Sequence, residues 1–261
     1  YASWGVDFVK VDDICNTNAY PADPYSAEKE IELIRKAIDT CGRDMVLSLS
    51  PGPAVIEKAW HLRQNANMWR ITDDFWDRWD LLLAMFERWP DCDMLPLGSI
   101  RLHLKDYTGP TGPESIGTWT KFTQAEQITL MSLWCIFRSP LMMGGELRNN
   151  DDFTLSLLTN PEILRMHRQG EEAQQVRRSA RSCVWQSRDW EDGSTYVALF
   201  NLRDTPGEVT VYFHELELLG KYAVRDLWAH KDLGEEAEGL TATLPAHGAA
   251  VYRLKWLSFD E

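Results

Sequence analysis

Between Val6 and Met143 short apolar runs alternate with helical periodicities, and after about Val176 the helical pattern stops. The runs Val6–Val11, Met45–Leu49, Asn67–Ile71, Met94–Leu97 and Pro140–Met143 read as strands. Helical stretches separate them. The first carries Ile31, Ile34 and Ile38 on one stripe, with Ser26 as the expected N-cap, Glu28 and Glu30 in its first turn and Gly42 just past its end. A second starts near Ala54 and a third runs from Phe75 to Arg88. Thr123 and Glu126 form a capping-box pattern ahead of a helix with Leu130, Leu133, Trp134 and Phe137 on one face. Strand–helix alternation of this kind builds parallel βαβ units, in either a doubly wound sheet or a barrel. A (β/α)₈ barrel takes roughly 250 residues, about 31 per unit, so the 1–170 stretch holds about five units.

The second part is read as an antiparallel β-sandwich. Its predicted strands are Val184–Ser187, Thr195–Phe200, Val209–Phe213, Tyr222–Val224, Leu240–Leu244 and Ala250–Leu254, with Asp192-Gly193 and Pro206-Gly207 as turn signals. The expected division is therefore residues 1–172 as an α/β portion and residues 173–261 as the sandwich.

Composition narrows the function classes. The 27 Lys and Arg face 40 Asp and Glu, a formal net charge of -13 over 261 residues. A nucleic-acid binder normally presents a basic face to phosphates, so that partner is not expected. No run of about 18 apolar residues exists, so no membrane span is expected. The five cysteines (Cys15, Cys41, Cys92, Cys135, Cys183) are widely spaced without a C-x-x-C, and read as free thiols rather than a disulfide framework or a zinc site. Twelve Trp suit a core together with a site that stacks flat apolar faces.

In α/β folds function gathers at the C-terminal ends of the strands. Those ends carry Lys10-x-Asp12-Asp13, Ser48-Leu49-Ser50 and Arg70-x-x-Asp73-Asp74, and Asp91-x-Asp93 opens the fourth strand. Two acids in one cleft are what glycoside hydrolysis requires, one attacking the anomeric carbon and the other protonating the leaving oxygen. Two other readings compete on residue type alone. Asp13, Asp73 and Asp91 could each be a helix N-cap, and the Asp12/Asp13 and Asp73/Asp74 clusters offer oxygen ligands that suit Mg²⁺.

The residues also carry a resemblance. Trp4-Gly5-Val6-Asp7-Phe8-Val9-Lys10-Val11-Asp12 resembles the fourth-strand pattern W-G-V-D-x-x-K-x-D of glycoside hydrolase family 27, the α-galactosidase and α-N-acetylgalactosaminidase family. Trp69 to Trp79 is similar to its sixth-strand segment W-R-x-x-x-D-x-x-D-x-W, Trp89 to Leu95 to its W-x-D-x-D-M-L, and Leu133 to Met142 to the helix and strand that follow. The resemblance implies a partial (β/α)₈ TIM barrel followed by a C-terminal β-sandwich, with barrel strands one to three expected ahead of Tyr1. It implies a retaining glycoside hydrolase that removes terminal α-linked galactose from a small carbohydrate or glycoconjugate, without cofactor or metal; the alternatives are an α-N-acetylgalactosaminidase of the same family or a non-catalytic carbohydrate-binding remnant. Asp12 would be the nucleophile and Asp74 the acid/base. Lys10, Ser50, Arg70 and Asp93 would bind substrate, with Arg70 also free to form an ion pair with Asp93 or Asp74.

Where the family's galactosidases have a glutamate that contacts the sugar, this chain has Ser50, as small as the residue in the N-acetylgalactosaminidases. Pro51-Gly52-Pro53 departs from both patterns, and Ile14 replaces a cysteine that many members have after the nucleophile motif. The stretch between Phe86 and Trp89 is shorter than the family's usual loop. Other members are often secreted or lysosomal, and a targeting segment would lie ahead of Tyr1.

Overall fold

A computed structural model describes residues 1–15, 18, 20–88, 93–100 and 119–259. Asp91 and Cys92, and with them the start of the W-x-D-x-D-M-L segment, lie outside the described residues. The chain packs as two compact units: Tyr1–Phe75 together with Asp93, and the described residues from Trp76 onward other than Asp93.

In the first unit, β1 (Phe8–Asp12), β2 (Val46–Ser50) and β3 (Met68–Trp69) pair in parallel in that order. The helices α1 (Glu28–Thr40) and α2 (Ala59–Asn65) connect them. Periodicity explains α1. Ile31 and Ile38, two turns apart, are buried against Leu47, Leu49, Leu62, Tyr25 and Cys15. Burying each such aliphatic side chain contributes about 1.5–3 kcal/mol. Gly42, at φ 76°, ends the helix where a side chain would strain the turn.

Ser26 does not cap α1. The N-cap is Ala27, without a side-chain hydrogen bond. Successive turns consume the preceding backbone, with Asp23 N–H donating to Tyr20 O, Ser26 N–H to Asp23 O and Glu28 N–H to Tyr25 O. The negative charges of Glu28 and Glu30 in the first turn offset the missing cap through the helix dipole.

The second unit begins with α3 (Trp79–Arg88), β4 (Met94–Leu95), α4 (Gln124–Phe137), β5 (Met142–Met143), α5 (Asp152–Leu158) and α6 (Pro161–Gln169). β4 and β5 are parallel. The capping box of α4 is formed as its sequence predicts: Glu126 N–H donates to Thr123 Oγ1 at 3.2 Å and Thr123 N–H to Glu126 Oε2 at 2.8 Å. α4 is buried all round, Gln127, Thr129 and Ser132 included, and packs on the strands of the sandwich. α3 begins four residues later than its periodicity predicts, because the preceding segment is held by other bonds. Arg78 N–H closes on Trp76 O, and the Asp77 carboxylate accepts the Lys121 N–H at 2.6 Å.

The sandwich has eight strands: β6 (Gly170–Arg178), β7 (Ser182–Asp189), β8 (Thr195–Asn201), β9 (Gly207–Tyr212), β10 (Lys221–Asp226), β11 (Lys231–Glu236), β12 (Gly239–Leu244) and β13 (Ala249–Ser258). They form a six-stranded antiparallel sheet, β11-β10-β13-β8-β7-β6, facing the β12-β9 pair. Val184, Val197, Leu199, Val211, Leu240 and Leu254 fill the space between. β6 and β11 are additions to the six strands expected.

The β12–β13 loop is one of the links between the sandwich and the helices of this unit. His247, at φ 58° between β12 and β13, stacks its ring on Trp79 at 3.7 Å. Its Nδ1 lies 2.7 Å from Glu126 Oε1, and its Nε2 2.8 Å from Asp204 Oδ1.

Among the described residues Cys15, Cys135 and Cys183 are buried free thiols and Cys41 is an exposed one. No helix among them is long and apolar enough to cross a membrane.

Candidate active site

The C-terminal ends of β1, β2 and β3 lie side by side in the first unit, and their register brings the candidate residues together. Lys10 and Asp12, two apart on β1, project to the same face. Lys10 stands opposite Ser48 and Asp12 opposite Ser50 across the parallel pair. Lys10 Nζ is 3.6 Å from Asp12 Oδ1, and the Asp12 side chain is 71% exposed, open to a ligand. Directly after it the backbone turns left-handed at Asp13 (φ 51°) and again at Cys15 (φ 53°). Such conformations are costly for non-glycine residues and concentrate at functional sites.

Arg70 is the hub of the second group. Its backbone N–H donates to Leu49 O at 3.1 Å, extending the β2–β3 register by one residue. Its guanidinium Nη1 donates to Asp74 Oδ1 at 2.8 Å and to Ser50 Oγ at 3.2 Å. Nη2 reaches Asp93 Oδ2 at 3.3 Å and Thr72 O at 3.4 Å. Arg70 and Asp93 side chains are 4% and 7% exposed, whereas Asp74 is 62% exposed. A fixed, buried cation thus holds an accessible carboxylate by one oxygen and rests on a buried one. Asp93 is held in turn by the Phe75 N–H at 2.7 Å. The ion pair read from sequence as Arg70 with Asp93 or Asp74 is formed with both.

Four of the six candidates, Ser50, Arg70, Asp74 and Asp93, are therefore in one contact network. Lys10 and Asp12 form a separate pair, set beside that network by the Asp12–Ser50 register. Two neighbours lie outside those six, Asn18 and the Asp73 read from sequence as a helix N-cap or a metal ligand. Asn18 Nδ2 donates to Asp73 Oδ2, and Asp73 Oδ1 accepts the Asp74 N–H at 2.9 Å. Asp73 thereby positions the residue that follows it. The signal for Asn18 is only that it lies in the loop leaving the strand of Asp12. Gly52 is set by close approach: a Cβ there would come within 3.3 Å of Asp73 Oδ1. The Pro51-Gly52-Pro53 departure thus lets the loop after β2 lie against the loop after β3. The motif residues Asp77 and Trp79 serve packing instead, through Lys121 N–H and His247.

Asp12, Asp13, Asp73 and Asp74 do not belong to a converging donor group among the described residues. Among the described residues the convergent donor group is Glu28, Glu32 and His61, on α1 and α2. There the Lys58 ammonium, 2.9 Å from Glu28 Oε2, supplies the positive charge.

Comparison with known proteins gives the arrangement a family. Residues 1–169 match the family model described as alpha galactosidase A, and residues 182–254 the alpha galactosidase C-terminal beta sandwich domain. A GH27 β-L-arabinopyranosidase from Geobacillus stearothermophilus is 48% identical, with a TM-score of 0.88 over 98% of this chain and 59% of that one. A proposed α-N-acetylgalactosaminidase from Bacillus halodurans C-125 is 40% identical, with a TM-score of 0.79 over 98% of this chain and 60% of that one. Alpha-galactosidase 3 of Arabidopsis thaliana is 28% identical over 97% of this chain. The chain spans 56% of that plant protein's length. The strand ends, the hub arginine and the sandwich thus fall in an alpha-galactosidase barrel segment with its C-terminal β-sandwich, and the chain belongs to glycoside hydrolase family 27.

Proposed function

We propose that the chain carries the reacting carboxylates of a retaining glycoside hydrolase that removes terminal α-linked galactose from galactosides. The observation that carries this reading is the Arg70 hub, which holds the exposed Asp74 carboxylate at 2.8 Å beside the strand ends bearing Asp12 and Ser50. In the first step an Asp12 oxygen bonds to the anomeric carbon while the bond to the leaving oxygen breaks, and Asp74 gives that oxygen its proton. In the second, Asp74 takes a proton from water as the water oxygen bonds to the same carbon and Asp12 departs. Lys10, Ser50, Arg70 and Asp93 hold or position the sugar hydroxyls through charged hydrogen bonds. The scheme draws on no cofactor or metal.

A second reading of the sugar rests on the 48% identity with the β-L-arabinopyranosidase. β-L-Arabinopyranose has the ring stereochemistry of α-D-galactopyranose without the exocyclic hydroxymethyl group, so the same carboxylates serve either ring.

The test is release of nitrophenol from 4-nitrophenyl α-D-galactopyranoside, β-L-arabinopyranoside and α-N-acetylgalactosaminide, with Asp12→Asn and Asp74→Asn as controls. Asp12→Asn should abolish turnover, and Asp74→Asn should lower it by about 10²–10⁴-fold. Turnover of the acetamido sugar alone would assign Ser50 to making room for the acetamido group. Turnover that survives Asp12→Asn, or a first-formed sugar of inverted anomeric configuration by NMR, would overturn the reading.

A further inference from the structure

The six-stranded sheet of the sandwich is wider than the β12-β9 pair that faces it. Beyond the end of that pair its inner face continues into a groove of about 560 Å³, within the roughly 300–1,000 Å³ of small-molecule sites. Strand alternation settles what lines it. Val184, Val197 and Leu254 face the sandwich core, so Gln186 and Arg188 on β7, Thr195 on β8 and Trp256 on β13 lie on the same side. The register sets Gln174 opposite Gln186, Arg188 opposite Thr195, and Tyr222 opposite Trp256.

Three observations point to an occupant. Trp256 is 50% exposed, and Phe259 packs on its ring at 5.6 Å, which holds a flat apolar face in place at the rim. Gln186 lines the groove, yet its amide oxygen is shielded from solvent and has no hydrogen-bond partner. An unmade bond of that kind calls for a donor, and the soft terminal torsion of glutamine lets the oxygen turn toward one. The charge is mixed: Arg188 is balanced by Glu172 and Glu217, which weighs against an anionic ligand.

A flat apolar face beside planar amides and a guanidinium, with slight negative charge, is complementary to a neutral pyranose. Its C–H face stacks on the indole, and its hydroxyls exchange hydrogen bonds with Gln174, Gln186 and Arg188. We infer that this groove, between the inner face of the sandwich sheet and the Leu216–Leu218 segment after β9, is a saccharide-binding groove that shares no residue with the Asp12–Asp74 centre. The inference stands on the lining of the groove and goes beyond the hydrolase reading.

The test is affinity electrophoresis of the whole chain, in the Asp12→Asn background so that the polymer is not degraded. Native gels are cast with guar galactomannan, larch arabinogalactan or no polymer. At least one polymer should retard migration twofold or more. Trp256→Ala should abolish the retardation, Arg188→Ala should weaken it, and Trp256→Phe should keep most of it. Matching circular dichroism of the variants ties the loss to the groove. Absence of retardation on both polymers, or retardation indifferent to Trp256→Ala, overturns the proposal. So does a dimer in light scattering that Trp256→Ala dissociates, because a second copy would then fill the groove. If no nitrophenyl glycoside is hydrolysed while retardation persists, the hydrolase reading fails and this one stands.

Discussion

Replacing Arg70 with methionine tests whether the hub is held together by charge. The guanidinium is buried, and so is the Asp93 carboxylate 3.3 Å away, whereas Asp74 is largely in water. Removing one partner of a buried pair costs about 3–5 kcal/mol, because the other charge stays in the interior. The exposed Arg70–Asp74 contact adds no more than about 1 kcal/mol, screened as it is by solvent. The expected loss is therefore about 3–5 kcal/mol and is dominated by Asp93. With an m-value of roughly 2 kcal/mol/M, that lowers the urea midpoint by about 1.5–2.5 M. The diagnostic step is the second substitution. In Arg70→Met/Asp93→Asn the interior holds neither charge, while the asparagine oxygen still accepts the Phe75 N–H, so at least about half of the lost stability should return. Urea unfolding followed by tryptophan fluorescence and circular dichroism gives all three values. A loss below about 1 kcal/mol, or a double variant no more stable than Arg70→Met, would show that packing rather than charge holds Arg70 in place.

Two further outcomes follow from other parts of the chain. Glu162, at the start of α6, is bonded by Arg225 at 2.6 Å and by His230, and these partners hold its carboxyl below the ordinary value of 4.5. A lowered carboxylate pKa contributes stability above the unfolded value and loses it as pH falls through the folded one. Thermal midpoints should therefore drop below about pH 4.5 less steeply in Glu162→Gln than in the parent chain, and equal acid limbs would refute this. Burial pushes the Cys15 thiol up to about 11 and the Cys183 thiol up to about 12, and Cys135 is buried as well. Maleimide labelling of the native chain at neutral pH should mark Cys41 well before these three, as read by peptide mass mapping. Labelling of Cys15 at the same rate would contradict its burial.

Much of this architecture is legible in the residues. The succession of strands and helices and the capping box of α4 depend on local periodicity and spacing, which the chain states openly, whereas the choice between a doubly wound sheet and a barrel does not. β6 and β11 escape that reading for a physical reason. β11 is exposed along its whole length and β6 is a bulged, charged edge strand, so neither carries the alternating apolar face that marks a half-buried strand. β3, β4 and β5 are two residues each; backbone bonds from Asn67 and Arg70 to β2 flank β3, and just past β4 the Leu97 N–H turns back onto Leu95 O. At the site, the positions of Asp12, Arg70 and Asp74 follow from where strands end. That one guanidinium joins Ser50, Asp74 and Asp93 does not. It requires a buried side chain spanning three segments distant in sequence, which only the tertiary register supplies.

The His247 clamp bears on how such a chain can be recombined. The Glu126 that caps α4 also grips the β12–β13 loop, and α4, buried on every face, lies against the sandwich strands. A graft that replaced the sandwich alone would take His247 away from Glu126 and strip α4 of its covering in one cut, leaving only the local Thr123–Glu126 box at its start. The piece that can be exchanged as a whole starts near Trp76, so the module that evolution or an engineer can move is larger than the sandwich.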